Sequence, residues 1–301
     1  MTLPQTFGKL DRMPRAYFDA NIYDHIAGGY ISADEVDAVR PSLASRQIEA
    51  HLSAADVDEF FGDWEKDRPA VVRRLQVARD LVGFEGILKQ PSDVLREGIE
   101  AYVAGGPAPS LTLPPDQQEI IASLLHRVAA GESSRDLDTV IAQIVGGVRA
   151  IKKKTKFDLA EARQQTLDEM KCDTISLEER RAVKFEAFWE GSAPHWAEAF
   201  ATPLGLAQQC RDRGLDGLLR VRPVRLAVGA VVSLIFALVV GDGVQSRHPQ
   251  QGDFYDVWHA ILASVAEVFV TRDGRLAKSL GRVPIDRFRV VTSLGEVLDH
   301  R

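Results

Sequence analysis

Asp256 and Asp273 bracket the stretch GDFYDVWHAILASVAEVFVTRDGRL, residues 252–276, where a helix hands over to a strand. Val257, Ile261, Leu262, Val265 and Ala266 recur at helical spacing. Val268, Phe269 and Val270 follow as a β-branched and aromatic run, the composition of a strand covered on both faces. Asp256 therefore stands in the first turn of a helix, and Asp273 just past a strand, after Thr271. Open parallel sheets bind ligands outside the carboxyl ends of their strands, which places Asp273 at the rim of an expected site.

Acidic residues take comparable positions near the start of the chain. Ala16-Tyr17-Phe18 is a short apolar run closed by Asp19, with Asn21 two residues on. Read alone, Asp-x-Asn is a helix N-cap. Ser32 and Glu35 form a capping box ahead of Val36, Val39 and Leu43, with Pro41 expected to bend or shorten that helix. Arg46 to Leu52 alternates, with Ile48, Ala50 and Leu52 on one face, as a second strand does. Ser53 then caps a helix whose early turns carry Asp56, Asp58 and Glu59. Carboxylates there are favoured by the helix dipole, whatever else they do.

Together these pieces resemble the PIN domain family, metal-dependent nucleases that include many toxin components of toxin–antitoxin pairs. The resemblance is carried by Asp19-x-Asn21 closing a strand, by Asp256 followed by His259-Ala260, and by Thr271-Arg272-Asp273 closing another strand. It implies an α/β fold: a PIN-like parallel sheet of four or five strands flanked by helices. It also implies that Asp19, Glu59, Asp256 and Asp273 converge as catalytic metal ligands. Asn21 and Thr271 would orient them, with Asp253 and Asp56 as fallback ligands. Carboxylates gathered at one rim raise each other's pKa, a cost that a cation offsets. An all-oxygen donor set favours Mg²⁺ or Mn²⁺. Such ions activate water for in-line attack on a phosphodiester and stabilise the leaving oxygen. RNA is the implied substrate; whether an antitoxin or other protein partner exists is open from the sequence.

The intervening 61–225 is mainly helical by pattern and too long for the ordinary connection of that family. The expected organisation is a discontinuous α/β domain, 1–60 and 226–301, with 61–225 as a helical insertion. Leu137–Val148, Ala160–Met170 and Leu177–Phe188 read as three helices, and Lys152, Lys153, Lys154 and Lys156 as a solvated helix end. Trp189 and Trp196 read as core. Arg220, Arg222 and Arg225 precede the apolar Leu226–Val240, and Arg222 and Arg225 could clamp phosphate near the site if not paired with surface acids. That apolar run of 15 residues is short of the roughly 20 a spanning helix needs, so a buried central helix is expected and no membrane span. A net charge of −6 does not advertise nucleic-acid binding and does not exclude it. Cys172 and Cys210 fit a reducing cytoplasm rather than a disulfide or zinc framework. Oligomeric state is open. A second functional class stays in view: an inactive PIN-like scaffold that binds a partner through its helical region.

Overall fold

The structure is a computed structural model, and it describes residues 14–169, 176–241 and 253–298. The loop with Asp242, His248 and Pro249, Cys172, and the side chains of Lys152, Lys154, Lys156 and Asp253 lie outside the described residues. Four strands form one parallel sheet in the order β2-β1-β3-β4. They are β1 (Arg15–Phe18), β2 (Glu49–His51), β3 (Val268–Val270) and β4 (Arg289–Val291). Ala16 pairs with Val268 and Phe18 with Val270, so the first and third strands lie side by side at the centre. Their side chains alternate, as the two-residue strand period requires. Tyr17 and Phe269 face one core, while Ala16, Phe18, Val268 and Val270 face the other. Burial on both faces explains why these strands are continuous apolar runs.

Fourteen α-helices surround the sheet among the described residues. The first strand leads through α1 (Ala20–Ala27) and α2 (Ala33–Ala44) to β2 and then α3 (Ala54–Phe61). α2 continues past Pro41 to Ala44 rather than stopping at it, and Leu43 is only partly buried beneath Val36 and Val39. Next come α4 (Arg68–Leu81), α5 (Pro91–Ala104), α6 (Pro115–Ala129), α7 (Arg135–Glu169) and α8 (Leu177–Arg181). α7 is one helix of 35 residues where the sequence pattern suggests two. After it, α9 (Phe185–Ala201), α10 (Ala207–Arg213), α11 (Leu215–Leu218) and α12 (Arg222–Phe236) lead to α13 (Asp253–Ala263) and α14 (Gly274–Gly281).

Helices between 61 and 225 contribute to both cores. α4, α6 and α7 bury Leu75, Val128 and Ile141 with Phe18 and Val270. α5 and α9 bury Ile99 and Ala197 with Tyr17 and Phe269. The apolar segment forms α12, in which every side chain from Leu226 to Phe236 is buried. Each large aliphatic side chain so buried contributes about 1.5–3 kcal/mol. Among the described residues no helix is long and apolar enough to cross a membrane.

After β1 the chain crosses to β2 on one side, and after β3 it crosses to β4 on the other. The carboxyl ends of the two central strands thus border the crevice where the strand order reverses, the place where such sheets bind ligands.

Candidate metal centre

Asp19 is the residue immediately after β1, and its amide still donates to the Val270 carbonyl at 2.9 Å, extending the sheet by one bond. Although it occupies the N-cap position of α1, its side chain caps nothing there. The carboxylate instead turns across to the end of β3. Oδ2 accepts from Thr271 Oγ1 at 2.6 Å and from Asn21 Nδ2 at 2.5 Å. Asn21 also donates to Thr271 at 3.1 Å and accepts from the Arg272 amide at 3.0 Å. Asn21 and Thr271 therefore position Asp19.

The other carboxylates come from α3. Ser53 and Asp56 form its capping box: the Ser53 amide and hydroxyl donate to Asp56 Oδ2 at 2.8 and 2.6 Å, and Ser53 Oγ accepts from the Asp56 amide at 3.1 Å. One oxygen of Asp56 is thus committed to starting the helix. Glu59 lies three residues further along the same helical face. Its Oε2 is 3.1 Å from Nε2 of His259, and Asp19 Oδ1 is 3.4 Å from that same nitrogen. His259 projects from α13 and is 2% exposed. Its other nitrogen, Nδ1, is 2.6 Å from the Tyr17 hydroxyl. Tyr17 can donate on to Asp56 Oδ1 at 3.4 Å and lies 3.0 Å from Ser53 Oγ. One ligand atom each from Asp19, Glu59 and His259 falls within 4.8 Å of the others, a group that could hold a metal ion.

The electrostatics follow from several acids meeting one base away from water. Burial opposes charge on His259, yet Asp19, Glu59 and Asp56 outweigh it and push the imidazole up to about 10. Burial raises the Asp19 carboxyl, and Glu59 adds to that; the facing His259 and the Thr271 and Asn21 hydrogen bonds hold it down. Burial carries Asp56 up to about 7 against the pull of His259 and the Ser53 bonds. Burial also raises the Tyr17 phenol well above its usual value. An imidazolium with two N–H donors fits this geometry: Nε2–H toward the carboxylates, Nδ1–H toward Tyr17, and Tyr17 O–H on to Asp56.

The four expected carboxylates are not brought into one set. Asp273 caps α14, its Oδ1 accepting from the amides of Arg275 and Leu276 at 2.8 and 3.0 Å. Arg275 Nη2 lies 3.4 Å from Asp256 Oδ2 and 3.7 Å from Asp273 Oδ2, so a guanidinium stands between those two acids. Asp273 reaches the centre through its backbone: its amide donates to Thr271 Oγ1 at 3.0 Å, and Thr271 in turn holds Asp19.

Arg222 and Arg225 are the clear correction. Both sit at the start of α12, where Arg222 donates to the Ala266 carbonyl just before β3. That is the amino end of the sheet, whereas Asp19 and Thr271 lie at its carboxyl end. Adjacency in sequence to an apolar helix could not reveal which end of the sheet that helix starts from. Trp189 and Trp196 pack partly buried against the core, as expected.

His259, Tyr17, Ser53 and Asp56 together complete a polar cluster that the acidic pattern alone does not assemble. The signal for His259 was present, since it follows Asp256 by three residues and so shares its helical face. Its nitrogen alters the expected all-oxygen donor set to two oxygens and one nitrogen, which still suits Mn²⁺ and extends the range toward other imidazole-binding divalent ions. Comparison with protein-family models, with curated proteins and with solved structures found no match.

Proposed function

We propose that the chain is a metal-dependent endoribonuclease of the PIN type, holding a divalent ion such as Mn²⁺ at Asp19, Glu59 and His259. The observation that supports this most is the meeting of three ligand-type side chains from just past β1, from α3 and from α13 at the switch point of the sheet. When bound, the ion would supply an activated water and stabilise charge on the phosphodiester. Asn21 and Thr271 fix Oδ2 of Asp19, leaving Oδ1 directed inward. Tyr17 fixes the ring of His259 through Nδ1, so that Nε2 faces the carboxylates. Such outer hydrogen bonds orient ligands and tune their basicity.

The pairing of Arg275 with Asp256 and Asp273 favours a second reading. There the acidic positions are structural, and the helical region serves as a partner-binding scaffold. Calorimetric titration of Mn²⁺ into wild type and Asp19→Asn, followed by cleavage assays on single-stranded RNA, separates the two. The nuclease reading expects binding and Mn²⁺-dependent cleavage in the wild type, both lost in the folded variant. A wild type that takes up no Mn²⁺ at millimolar concentration would sink it.

A further inference from the structure

The amino end of the sheet carries a second, chemically opposite site. A cavity of about 630 Å³ opens there, within the roughly 300–1,000 Å³ that small-molecule sites occupy. Arg15, Arg213, Arg220 and Arg222 line it against a single carboxylate, Glu267. Arg15 begins β1 and pairs with Glu49 at 3.2 Å, and its amide donates to Glu267. Arg213 lies over the Tyr102 ring and donates to the Val103 carbonyl at 3.1 Å. Arg220 and Arg222 make no ion pair within 4.0 Å among the described residues, although Arg222 donates to the Ala266 carbonyl and Glu267 lies near enough to favour its charge. Both also border an adjoining cavity of about 270 Å³, which Arg225 and Asp286 line as well.

Three polar atoms lie buried beneath the wall without a hydrogen-bond partner. Ser264 is 6% exposed, lines the larger cavity, and its hydroxyl has no protein partner. Arg222 Nε and Arg225 Nε are likewise buried without a partner. Buried polar groups in proteins are overwhelmingly hydrogen-bonded. The rest of the wall is apolar, with Ala101, Leu111, Pro223 and Val265. The Tyr102 hydroxyl is already given to the carbonyls of Arg213 and Gly214, so its ring serves as packing surface.

We infer that this cavity binds a small phosphate-bearing organic ligand of mononucleotide size. Its phosphate lies on Arg220 and Arg222. Its organic part lies against Leu111, Val265 and the Tyr102 ring. Guanidinium groups suit this role because their planar fork matches phosphate oxygens two at a time. The site is independent of the acidic centre and stands whether or not that centre cleaves RNA.

The test is calorimetric titration of adenosine monophosphate, and separately of inorganic phosphate, into the full chain without added metal. Arg220 is exposed, so Arg220→Glu is expected to fold normally. Arg222→Gln provides a second, milder variant. The expected result is nucleotide binding by wild type and by Asp19→Asn alike, weakened about tenfold or more in both arginine variants. Inorganic phosphate should bind more weakly than the nucleotide. No nucleotide binding at millimolar concentration, or equal binding by folded Arg220→Glu, would overturn the inference. So would a nucleotide that binds no more tightly than phosphate, since the apolar half of the cavity would then contribute nothing.

Discussion

If Mn²⁺ binds at Nε2 of His259, it must first displace a proton that the site holds tightly. With the imidazole pushed up to about 10, the competition at pH 7 spans about three pH units. At 1.36 kcal/mol per unit, that is about 4 kcal/mol of metal affinity withheld at neutral pH. The sign is fixed: raising the pH removes the competitor, so apparent affinity should rise about tenfold per unit between pH 7.5 and 8.5. That window lies above the value of about 7 for Asp56, so Asp56 contributes little to the change, while Asp19, itself raised by burial, shifts affinity in the same direction as His259. Calorimetry in two buffers of different ionisation enthalpy measures the protons released, and close to one per ion is expected. His259→Gln should remove most of the slope, since glutamine has no proton to give up. A wild-type affinity that is flat across this window, with no proton released, would refute both the protonated state and the displacement.

Three further outcomes follow from the packing. Tyr17→Phe keeps the ring in the core but leaves Nδ1 of His259 without its 2.6 Å partner, and should cost about 1–3 kcal/mol in denaturant unfolding. A methyl group added at Gly229 of α12 would collide with the buried side chain of Val283. Gly229→Ala should therefore lower stability by about 1–3 kcal/mol, and Val283→Ala in the same chain should recover part of that loss. Asp273→Ala removes the acceptor for two amides of α14 and should cost about 1 kcal/mol, whereas Asp273→Ser should retain most of the cap; thermal unfolding of the pair measures the difference.

Much of the central architecture could be read from residue order. The apolar runs 16–18 and 268–270 became the two central strands, and Asp19 and Thr271 fell at their carboxyl ends. Ser53 announced α3, and with it the placing of Glu59. These are local rules: a strand period, a cap, a helical repeat. Other features depended on which surfaces meet. Nothing near Arg222 says that α12 begins beneath the opposite edge of the sheet. Nothing near Arg275 says that its side chain will stand between Asp256 and Asp273. The partners of His259 come from residues 17, 19, 56 and 59, and proximity of that kind arises only from the fold.

The pairing of Ala16 with Val268 also has a consequence for synthesis. A ribosome adding about 5–20 residues per second takes roughly 13–50 s to make the 252 residues that separate them. Throughout that interval β1 has only β2 beside it, and its other edge offers unpaired amides and carbonyls to any strand that passes. Asp19, meanwhile, lacks both Thr271 and His259. The acidic centre is therefore assembled only once the C-terminal strand has been made, and until then the edge of β1 is open to mispairing.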